Sequence, residues 1–335
     1  MSNDIVHIVL TLCDPNGTYS RHVAVTMASI ITNTKDSIVF YILHDDSLTE
    51  YNRNMLKKMS VPARVQISFI DVEGMYKAAA LKISKRNINI SRAMYYRLFI
   101  QDVINCPKII YLDCDIVVEL DIAELWKIDI GNAAVAAVRD VETYNFIKTG
   151  KMSWRSKMIY KIMGIDVSKY FNGGVLIMNL DKIRTNYSFA NEVIRFYSKY
   201  GNITTYGNQD CLNYVFANDC ELLDEKYNNM RDTGASINHN NIWHMAGDVK
   251  PWNVYTRLGV DDLYWRYLLE TPYISDVNSL IHAMLIDLSS LKYTHLHSED
   301  CMRRLKKQLA DNIFRGHIFT VPRILFLLCA SLFKK

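Results

Sequence analysis

The chain has 335 residues, of which 50% are hydrophobic and 22% are charged. This composition is typical of a globular protein and excludes disordered, collagen-like and low-complexity chains. The formal net charge is +4, from 39 Lys and Arg against 35 Asp and Glu, and so small an excess excludes nucleic acid as an expected partner.

Taken in chain order, apolar runs typical of strands alternate with helical patterns. The predicted strands are 5–12, 37–43, 65–70, 108–112, 133–138 and 175–178, and the predicted helices are 19–32, 48–59, 91–100, 153–164, 188–200 and 209–216. This alternation predicts an open α/β sheet with helices on both faces. Ligands of such sheets bind beyond the carboxyl ends of the strands. We expect one domain over residues 1–270 and an appendage over residues 271–335.

Compartment signals point to a cytoplasmic protein. The seven cysteines have an odd count, no CxxC pair and no zinc-type Cys/His spacing, which favours free thiols in a reducing compartment. The N-terminus lacks the basic segment and the cleavage site of a signal peptide. The longest stretch of apolar and small residues, 324–333, is shorter than the roughly twenty residues that cross a bilayer.

The most informative motif is a DxD sequence directly after an apolar strand. The strand 108–112 leads into Asp113, Cys114 and Asp115. Residues two apart in extended backbone face the same way, so both carboxylates point to one side. Oxygen ligands of this kind suit Mn²⁺ or Mg²⁺, whose coordination is often completed by substrate phosphates. The alternative is a pair of loop aspartates that cap a turn, and a bare DxD motif does not distinguish the two.

A second motif lies in residues 242–252. His244 can add an imidazole nitrogen to a metal that two carboxylates already hold. Gly247 allows a close approach of the backbone, and Lys250 offers a point charge to a phosphate. A packed histidine, a turn glycine and a surface lysine are the ordinary alternatives. Together with the DxD motif, these residues predict a site for a metal and a diphosphate.

A third motif combines residues 170–180 with residues 208–213. Gly173 and Gly174 precede a strand and permit a bend close to a ligand, and the amide of Asn172 can both donate and accept hydrogen bonds. Gln209 and Asp210 begin a predicted helix, where side chains reach into a crevice. The alternative for Asp210 is a carboxylate that stabilises the helix N-terminus.

The order of DxD, FNGGVLIMNL, NQDCLN and HMAGDVKPW resembles the retaining glycosyltransferases of family 8. The resemblance covers roughly residues 5–270. It implies the GT-A fold, which is a Rossmann-like α/β fold that binds nucleotide sugars on a mixed central sheet, here with a C-terminal helical appendage. It also implies a UDP-sugar donor, UDP-glucose or UDP-galactose.

The resemblance implies three groups of site residues. The catalytic and donor-sugar group is Asp140, Asn172, Gln209 and Asp210. The nucleotide and diphosphate group is Thr11, Asp14, Tyr19, Arg97, Asp113, Cys114, Gly247 and Lys250. The metal ligands are Asp113, Asp115 and His244, with Mn²⁺ as the expected ion and Mg²⁺ as the other candidate.

Two positions depart from the family pattern. Family members commonly have DQD where this chain has Asn208, Gln209 and Asp210, so an amide replaces a carboxylate beside the expected donor sugar. Cys13 occupies the first of two acidic positions after the opening strand. The first departure bears on the choice of donor sugar, and the second bears on the contacts to the base.

The predicted reaction follows from Gln209. Retaining glycosidases use a carboxylate nucleophile, but the resemblance places an amide at that face, and an amide is a poor nucleophile. We therefore expect a front-face displacement in which Lys250 and the metal stabilise the departing UDP. Two alternatives remain open, a haloacid-dehalogenase-like phosphotransferase that uses the DxD loop and a non-catalytic sugar-nucleotide-binding protein.

The C-terminal residues 301–335 have eight basic residues and one acidic residue, whereas the first 300 residues have 31 basic and 34 acidic residues. Apolar residues at helical spacing lie beside a basic cluster: Met302, Leu305, Leu309 and Ile313, with Arg303, Arg304, Lys306 and Lys307. Basic amphipathic helices bind anionic membranes. We expect peripheral attachment to the inner face of a bacterial membrane, near a glycan or lipid-linked acceptor such as a lipopolysaccharide core. Packing on the domain or in a dimer is the alternative.

Overall fold

The computed structural model describes residues 5–80, 92–204, 206–216, 218–230, 239–247, 250–252, 259–275 and 279. In this part of the chain, a seven-stranded mixed sheet forms the centre and a sheet of three short strands lies apart from it. The predicted amphipathic tail lies outside the described residues. None of the described helices is both long and apolar enough to cross a membrane.

The described strands and helices alternate, as the sequence predicts. The strands are β1 (Val6–Leu12), β2 (Ile38–His44), β3 (Val65–Asp71), β4 (Lys108–Leu112), β5 (Ile116–Val118), β6 (Val135–Arg139), β7 (Phe171–Asn179), β8 (Cys220–Leu223), β9 (Asn229–Met230) and β10 (Ile242–His244). The helices are α1 (Tyr19–Asn33), α2 (Glu50–Lys57), α3 (Glu73–Ala80), α4 (Ala93–Tyr96), α5 (Ile100–Val103), α6 (Ile122–Trp126), α7 (Val141–Lys148), α8 (Trp154–Met163), α9 (Leu180–Asn186), α10 (Phe189–Tyr200), α11 (Asn208–Phe216) and α12 (Gly259–Leu269).

The predicted single helix over residues 91–100 is wrong in detail. Two one-turn helices, α4 and α5, flank a tighter 3₁₀ turn at Arg97–Phe99, and residue 91 lies outside the described residues. The Arg97 side chain is 3% exposed and donates a hydrogen bond of 2.5 Å to the carbonyl oxygen of Gly173. A buried tertiary contact therefore overrides the local preference for one continuous helix.

The central sheet has the strand order β3-β2-β1-β4-β7-β6-β8. Strands β3, β2, β1 and β4 run parallel, whereas β7 runs antiparallel to both β4 and β6. The register pairs Leu112 with Val175, and the amide of Asp113 donates to the carbonyl oxygen of Gly174 at 2.8 Å. The reversed strand therefore brings the glycine pair beside the DxD motif.

Helices cover both faces of the central sheet. Along β1, Ile8 and Leu10 lie in one buried apolar cluster with Met27 of α1, whereas Val9 lies in the other with Phe196 of α10. Alternation along a strand sends successive side chains to opposite faces. The α/β sheet with helices on both faces, predicted from the sequence, is confirmed.

The small sheet brings the DxD motif and His244 together, although they are far apart in the sequence. Strand β5 follows the DxD motif directly and pairs antiparallel with β10, so that His244 lies opposite Ile116. The amide of Met245 donates to the carbonyl oxygen of Asp115 at 2.9 Å. Main-chain hydrogen bonds therefore hold these two motifs together before any metal binds.

Helix α1 anchors the DxD loop through one hydroxyl. Thr26 is fully buried and its hydroxyl lies 3.1 Å from the carbonyl oxygen of Cys114 and 2.8 Å from that of Ile116. A substitution that removes this hydroxyl takes one hydrogen-bond donor away from the two buried carbonyl groups. The free energy of unfolding then falls, even where the new side chain has the same volume.

We expect Thr26→Val to lower the free energy of unfolding by about 1–3 kcal/mol, because valine has the same shape without the donor. Urea denaturation measures the change. Thr185→Val is the matched control, since the Thr185 hydroxyl is exposed and bonds only within α9, and we expect it to change stability by less than about 0.5 kcal/mol. Equal stability of the two variants would contradict the anchoring role of Thr26.

Candidate active site

A cavity of about 660 Å³ opens beyond the carboxyl ends of β1 and β4. Its lining combines residues from eight regions of the chain, most of them polar. They are Thr11, Cys13, Tyr19, Ala93, Arg97, Tyr111, Asp113, Cys114, Asp115, Asp140, Glu142, Asn172, Gly173, Tyr206, Asn208, Gln209, Met230, His244, Ala246, Gly247 and Lys250. The predicted position of the ligand site, at the carboxyl ends of parallel strands, agrees with this cavity.

One end of the cavity holds a cluster of possible metal ligands. One ligand atom from each of Asp113, Asp115 and His244 lies within 4.8 Å of the others. The His244 Nε2 atom is 3.3 Å from an Asp115 oxygen and 3.9 Å from an Asp113 oxygen. Two carboxylates and an imidazole are a donor set that suits Mn²⁺. The three residues fit the metal that the sequence predicts.

The other ring nitrogen of His244 fixes which atom faces the two carboxylates. His244 Nδ1 lies 2.9 Å from the Oδ1 atom of Asn228, which is 1% exposed. An amide oxygen only accepts hydrogen bonds, so Nδ1 has the proton and Nε2 keeps its lone pair toward Asp113 and Asp115. Histidines that bind metals are oriented in this way by a partner on the second nitrogen.

A chain of amide groups sets the orientation of Asn228 itself. The Asn228 Nδ2 atom donates to Asn172 Oδ1 at 2.9 Å, and the backbone amide of Gly174 donates to the same oxygen at 2.9 Å. The Asn172 Nδ2 atom then donates to an oxygen of Asp140 at 3.2 Å. Since an ionised carboxylate only accepts, each amide in this chain has one orientation.

Gln209 joins the same carboxylate from α11. Its Nε2 atom donates to Asp140 Oδ2 at 3.2 Å, and its Oε1 atom accepts from the backbone amide of Gly173 at 3.1 Å. The other Asp140 oxygen accepts from the amide of Thr143 at 2.9 Å and caps α7. Asp140 therefore accepts hydrogen bonds from the side-chain amides of Asn172 and Gln209, both of which are predicted to contact the donor sugar. It also accepts one from the N-terminus of α7.

Gly174 makes room for the histidine. A Cβ atom at this position would lie 2.2 Å from Cε1 and 2.8 Å from Nδ1 of His244. Both atoms belong to a ring that is 4% exposed, so the ring has little space to move. The second glycine of the FNGG motif is thus required by the approach of His244 to β7.

Lys250 neutralises one side of the cluster. Its ammonium group donates to Asp115 Oδ2 and to the carbonyl oxygen of Met245. Burial acts to raise the pKa of Asp115, but the positive charge of Lys250 and its hydrogen bond outweigh burial and hold that pKa well below its usual range. Asp115 is therefore ionised and ready to bind a cation.

Asp113 is held by neighbours that the DxD motif does not reveal. The Tyr111 hydroxyl donates to Asp113 Oδ1 at 2.5 Å, and the Arg97 guanidinium lies 3.6 Å from the same oxygen. The Arg97 guanidinium also stacks over the Tyr111 ring, 4.8 Å from its centroid. The second Asp113 oxygen faces His244, on the side of the metal cluster.

Cys114 contributes to the cavity wall with a protonated side chain. Burial and the charges of Asp113 and Asp115 raise the pKa of its thiol well above its usual value. The thiol donates to the carbonyl oxygen of Thr11 at 3.2 Å. This contact connects the DxD loop with the end of β1.

Twelve of the fourteen predicted site residues line the cavity, and Asp14 and Asp210 do not. Asp14 is 1% exposed and accepts from the amides of Tyr19 and Ser20 at the start of α1. Its carboxylate thus caps the start of α1 in this structure, and its nucleotide contact stays a prediction.

Asp210, which is predicted among the catalytic residues, has no exposed surface and does not line the cavity. Its carboxylate accepts from the hydroxyl groups of Tyr170 and Thr204, at 2.5 and 2.6 Å, and from the amide of Tyr206 at 3.0 Å. Asp210 therefore lies behind the cavity wall and supports α11. This role is close to the alternative given for Asp210 from the sequence, a carboxylate that stabilises a helix N-terminus, except that the carboxylate is buried.

The polar lining or supporting residues that were not predicted from the sequence include Tyr111, Glu142, Tyr206 and Asn228. Tyr111 lies two positions before Asp113, so strand alternation alone places both on one side. Glu142 follows Asp140 by two positions at the start of α7. No sequence signal of this kind indicates Asn228. Asn228 comes close to His244 only because β9, which follows it, pairs with β10.

The family model described as glycosyl transferase family 8 matches residues 9–256. The chain belongs to glycosyl transferase family 8. The matched range includes the end of β1, the DxD motif, the glycine pair and His244. Membership confirms the resemblance that the four ordered motifs predict, and it removes the haloacid-dehalogenase-like alternative.

Two curated relatives match over most of their own length. General stress protein A of Bacillus subtilis is 27% identical over 310 residues, which are 84% of this chain and 99% of that protein. Lipopolysaccharide 1,2-glucosyltransferase of Escherichia coli is 23% identical over 299 residues, which are 83% of this chain and 82% of that protein.

Among solved structures, the galactosyltransferase LgtC in complex with donor and acceptor sugar analogs matches with a TM-score of 0.66. The two chains are 22% identical, and the match covers 81% of this chain and 98% of LgtC. This likeness confirms the GT-A fold with its mixed central sheet.

We expect Asn228→Ala in this family 8 glycosyltransferase to weaken Mn²⁺ binding by about 10- to 100-fold, as is typical when the partner of a metal-binding histidine is removed. Isothermal titration of metal-free protein with Mn²⁺ measures the change, and circular dichroism confirms that the variant folds. Asn229→Ala is the control, because the described Asn229 side chain contacts Asn241 rather than His244. Equal affinities in all three proteins would show that Asn228 does not orient His244.

Proposed function

We propose that this chain is a metal-dependent retaining glycosyltransferase that transfers a hexose from UDP-glucose or UDP-galactose to a glycan or lipid-linked acceptor. The supporting observation is the arrangement inside one cavity: the ligand cluster of Asp113, Asp115 and His244 beside a wall of sugar-binding polar groups. A cluster for a divalent cation and a set of amides and a carboxylate for hydroxyl groups are together what a nucleotide sugar needs.

The metal end of the cavity suits the diphosphate. Lys250 has a point charge at the cavity wall, and Gly247 has a positive φ of 86° that brings backbone close to the same space. A divalent cation bound by Asp113, Asp115 and His244 supplies charge stabilisation to the departing diphosphate. Thr11, Tyr19 and Arg97 line the adjoining part of the cavity, where we propose that the nucleoside lies.

The opposite wall suits the hexose. Asp140, Asn172 and Gln209 line the cavity while their mutual hydrogen bonds fix the direction of each group. Preorganised polar groups of this kind position a substrate with little loss of side-chain entropy on binding. Asn208, which departs from the family pattern, accepts from Arg97 at 3.3 Å through its amide oxygen.

The proposed reaction retains the anomeric configuration by front-face displacement. The acceptor hydroxyl forms a bond to the anomeric carbon, the bond from that carbon to the diphosphate oxygen breaks, and the hydroxyl proton passes to a diphosphate oxygen. Gln209 does not act as a nucleophile, because its Oε1 atom belongs to a neutral amide and already accepts from Gly173. Its role is to position the donor sugar.

The acceptor class is proposed from the names of the relatives. A relative with 23% identity is a lipopolysaccharide glucosyltransferase, which supports a glycan or lipid-linked acceptor of the bacterial envelope. We propose that the chain works at the cytoplasmic face of the membrane. Nucleic acid is not part of the proposed function.

The proposal predicts Mn²⁺-dependent cleavage of one UDP-hexose by the purified full chain. Incubation with UDP-glucose or UDP-galactose, with Mn²⁺ or with EDTA, is followed by the release of UDP and by the anomeric configuration of any glycoside formed. Asp115→Asn should abolish release, because the cluster loses an ionised ligand. Binding of UDP-sugar without any cleavage would favour the non-catalytic alternative, and an inverted product would contradict the front-face route.

Gln209→Ala separates positioning from binding. We expect kcat to fall by roughly 100-fold, the scale on which small positioning errors act, while the affinity for UDP measured by calorimetry stays unchanged. Gln66→Ala on the exposed side of β3 is the matched control and should behave like the unchanged protein. Full turnover in Gln209→Ala would remove Gln209 from the mechanism.

A further inference from the structure

Helix α8 leaves an apolar stripe exposed. Trp154, Met158 and Ile162 follow one another at four-residue intervals and are 72%, 38% and 55% exposed. Residues at this spacing lie on one face of a helix. The opposite face is buried through Tyr160 and Met163, so α8 has one apolar face against the core and a second apolar face directed to solvent.

Basic residues flank this stripe on both sides. At 100° per residue, Lys157 and Lys161 lie along one edge of the stripe and Arg155 lies along the other. All three are exposed, and none forms an ion pair with another residue that the structure describes. The stripe thus has the pattern of a helix that lies in the interface of an anionic membrane.

The charge around α8 is positive over a wider surface. Residues 141–170 include six basic and two acidic residues. The basic residues are Lys148, Lys151, Arg155, Lys157, Lys161 and Lys169, and each is exposed. The acidic residues are Glu142, which lines the cavity, and Asp166, which caps the turn that follows α8. Positive charge therefore dominates the side that bears the stripe.

Helix α8 packs behind the wall of the cavity through its buried face. The ring of Tyr160 in α8 packs against the ring of Tyr170 with centroids 5.4 Å apart, and the Tyr170 hydroxyl donates to Asp210 beside Gln209. Helix α7, which precedes α8, begins at the cavity residue Asp140. Two rigid connections therefore join α8 to the wall that we assign to the donor sugar.

We propose that the exposed face of α8, defined by Trp154, Met158 and Ile162 with its flanking basic residues, docks on an anionic lipid bilayer. Ten residues span about 15 Å, which is too short to cross a bilayer but suits a helix that lies in the plane of the interface. Trp154 is of the residue type that prefers the membrane interface. A second copy of this chain is disfavoured as occupant, because two such surfaces would bring like charges together.

Docking through α8 places the cavity beside the lipid surface. The consequence for an acceptor rests on the proposed function, because a lipid-linked sugar would reach the cavity without leaving the membrane. This contact is independent of the C-terminal segment that the sequence also predicts to bind membranes. The experiment below contains no nucleotide sugar or acceptor, so its failure leaves the proposed transferase activity intact.

Trp154 is a built-in probe for this proposal. The chain has five tryptophans, and the other four are buried or half-buried, whereas Trp154 is 72% exposed. The full chain is mixed with vesicles of phosphatidylcholine and phosphatidylglycerol whose acyl chains are brominated. We expect bromine to quench part of the tryptophan fluorescence, and we expect Trp154→Phe, which keeps an apolar ring, to bind equally well but to lose that quenching.

The charge requirement is tested by Lys157→Gln with Lys161→Gln, for which we expect about 25-fold weaker binding to the anionic vesicles, or roughly fivefold for each basic residue. Lys57→Gln with Lys58→Gln, at the exposed end of α2, is the matched control and should bind as the unchanged chain does. Quenching that persists in Trp154→Phe, or equal binding of both double variants, would overturn the proposal. A change in sedimentation mass on Ile162→Ser, in the absence of vesicles, would assign the stripe to self-association instead and would also overturn it.

Discussion

The arrangement of the active site depends on the hydrogen bonds that the Asp140 carboxylate accepts. One oxygen accepts from Asn172 and Gln209, and the other caps α7. Because a carboxylate offers no donor, the amide of Asn172 has one orientation, and the orientation of Asn228 follows from it. This series of hydrogen bonds ends at His244. There the oriented Asn228 oxygen accepts the proton of Nδ1 and so determines the tautomer of the ring. A single buried acid thus orders both the wall that we assign to the donor sugar and the cluster of candidate metal ligands.

The fold makes this series possible by reversing one strand. β7 runs antiparallel to β4, so the glycine pair that begins β7 lies beside the DxD motif that ends β4. The backbone amides of Gly173 and Gly174 then bond the side-chain oxygens of Gln209 and Asn172. The absence of a side chain on Gly174 admits the His244 ring. The motifs that define the family are therefore neighbours for steric reasons and hydrogen-bonding reasons at the same time.

Much of this was accessible from the sequence, because long elements and local motifs have strong signals. The apolar run of β4 and the spacing of Asp113 and Asp115 predicted two carboxylates on one side at the end of a strand, and in the structure both line the cavity. Strands of two or three residues, such as β9 and β10, have no periodicity to detect, and so the position of Asn228 beside His244 was not accessible. The place of Asp210 outside the cavity lining was not accessible either, because a helix N-terminus can direct a carboxylate into a cavity or into the core, and only the structure distinguishes the two.

The central claim is that the hydrogen-bond series presents the Nε2 lone pair of His244 to the two carboxylates before a metal arrives. Nitrogen-15 NMR of the metal-free protein, at a pH where the His244 ring is neutral, measures this directly. The account predicts a proton on Nδ1, where Asn228 accepts it, and none on Nε2. A proton on Nε2 would contradict the account, because the ring would then donate to Asp115 instead and would have to turn or lose that proton to bind a cation.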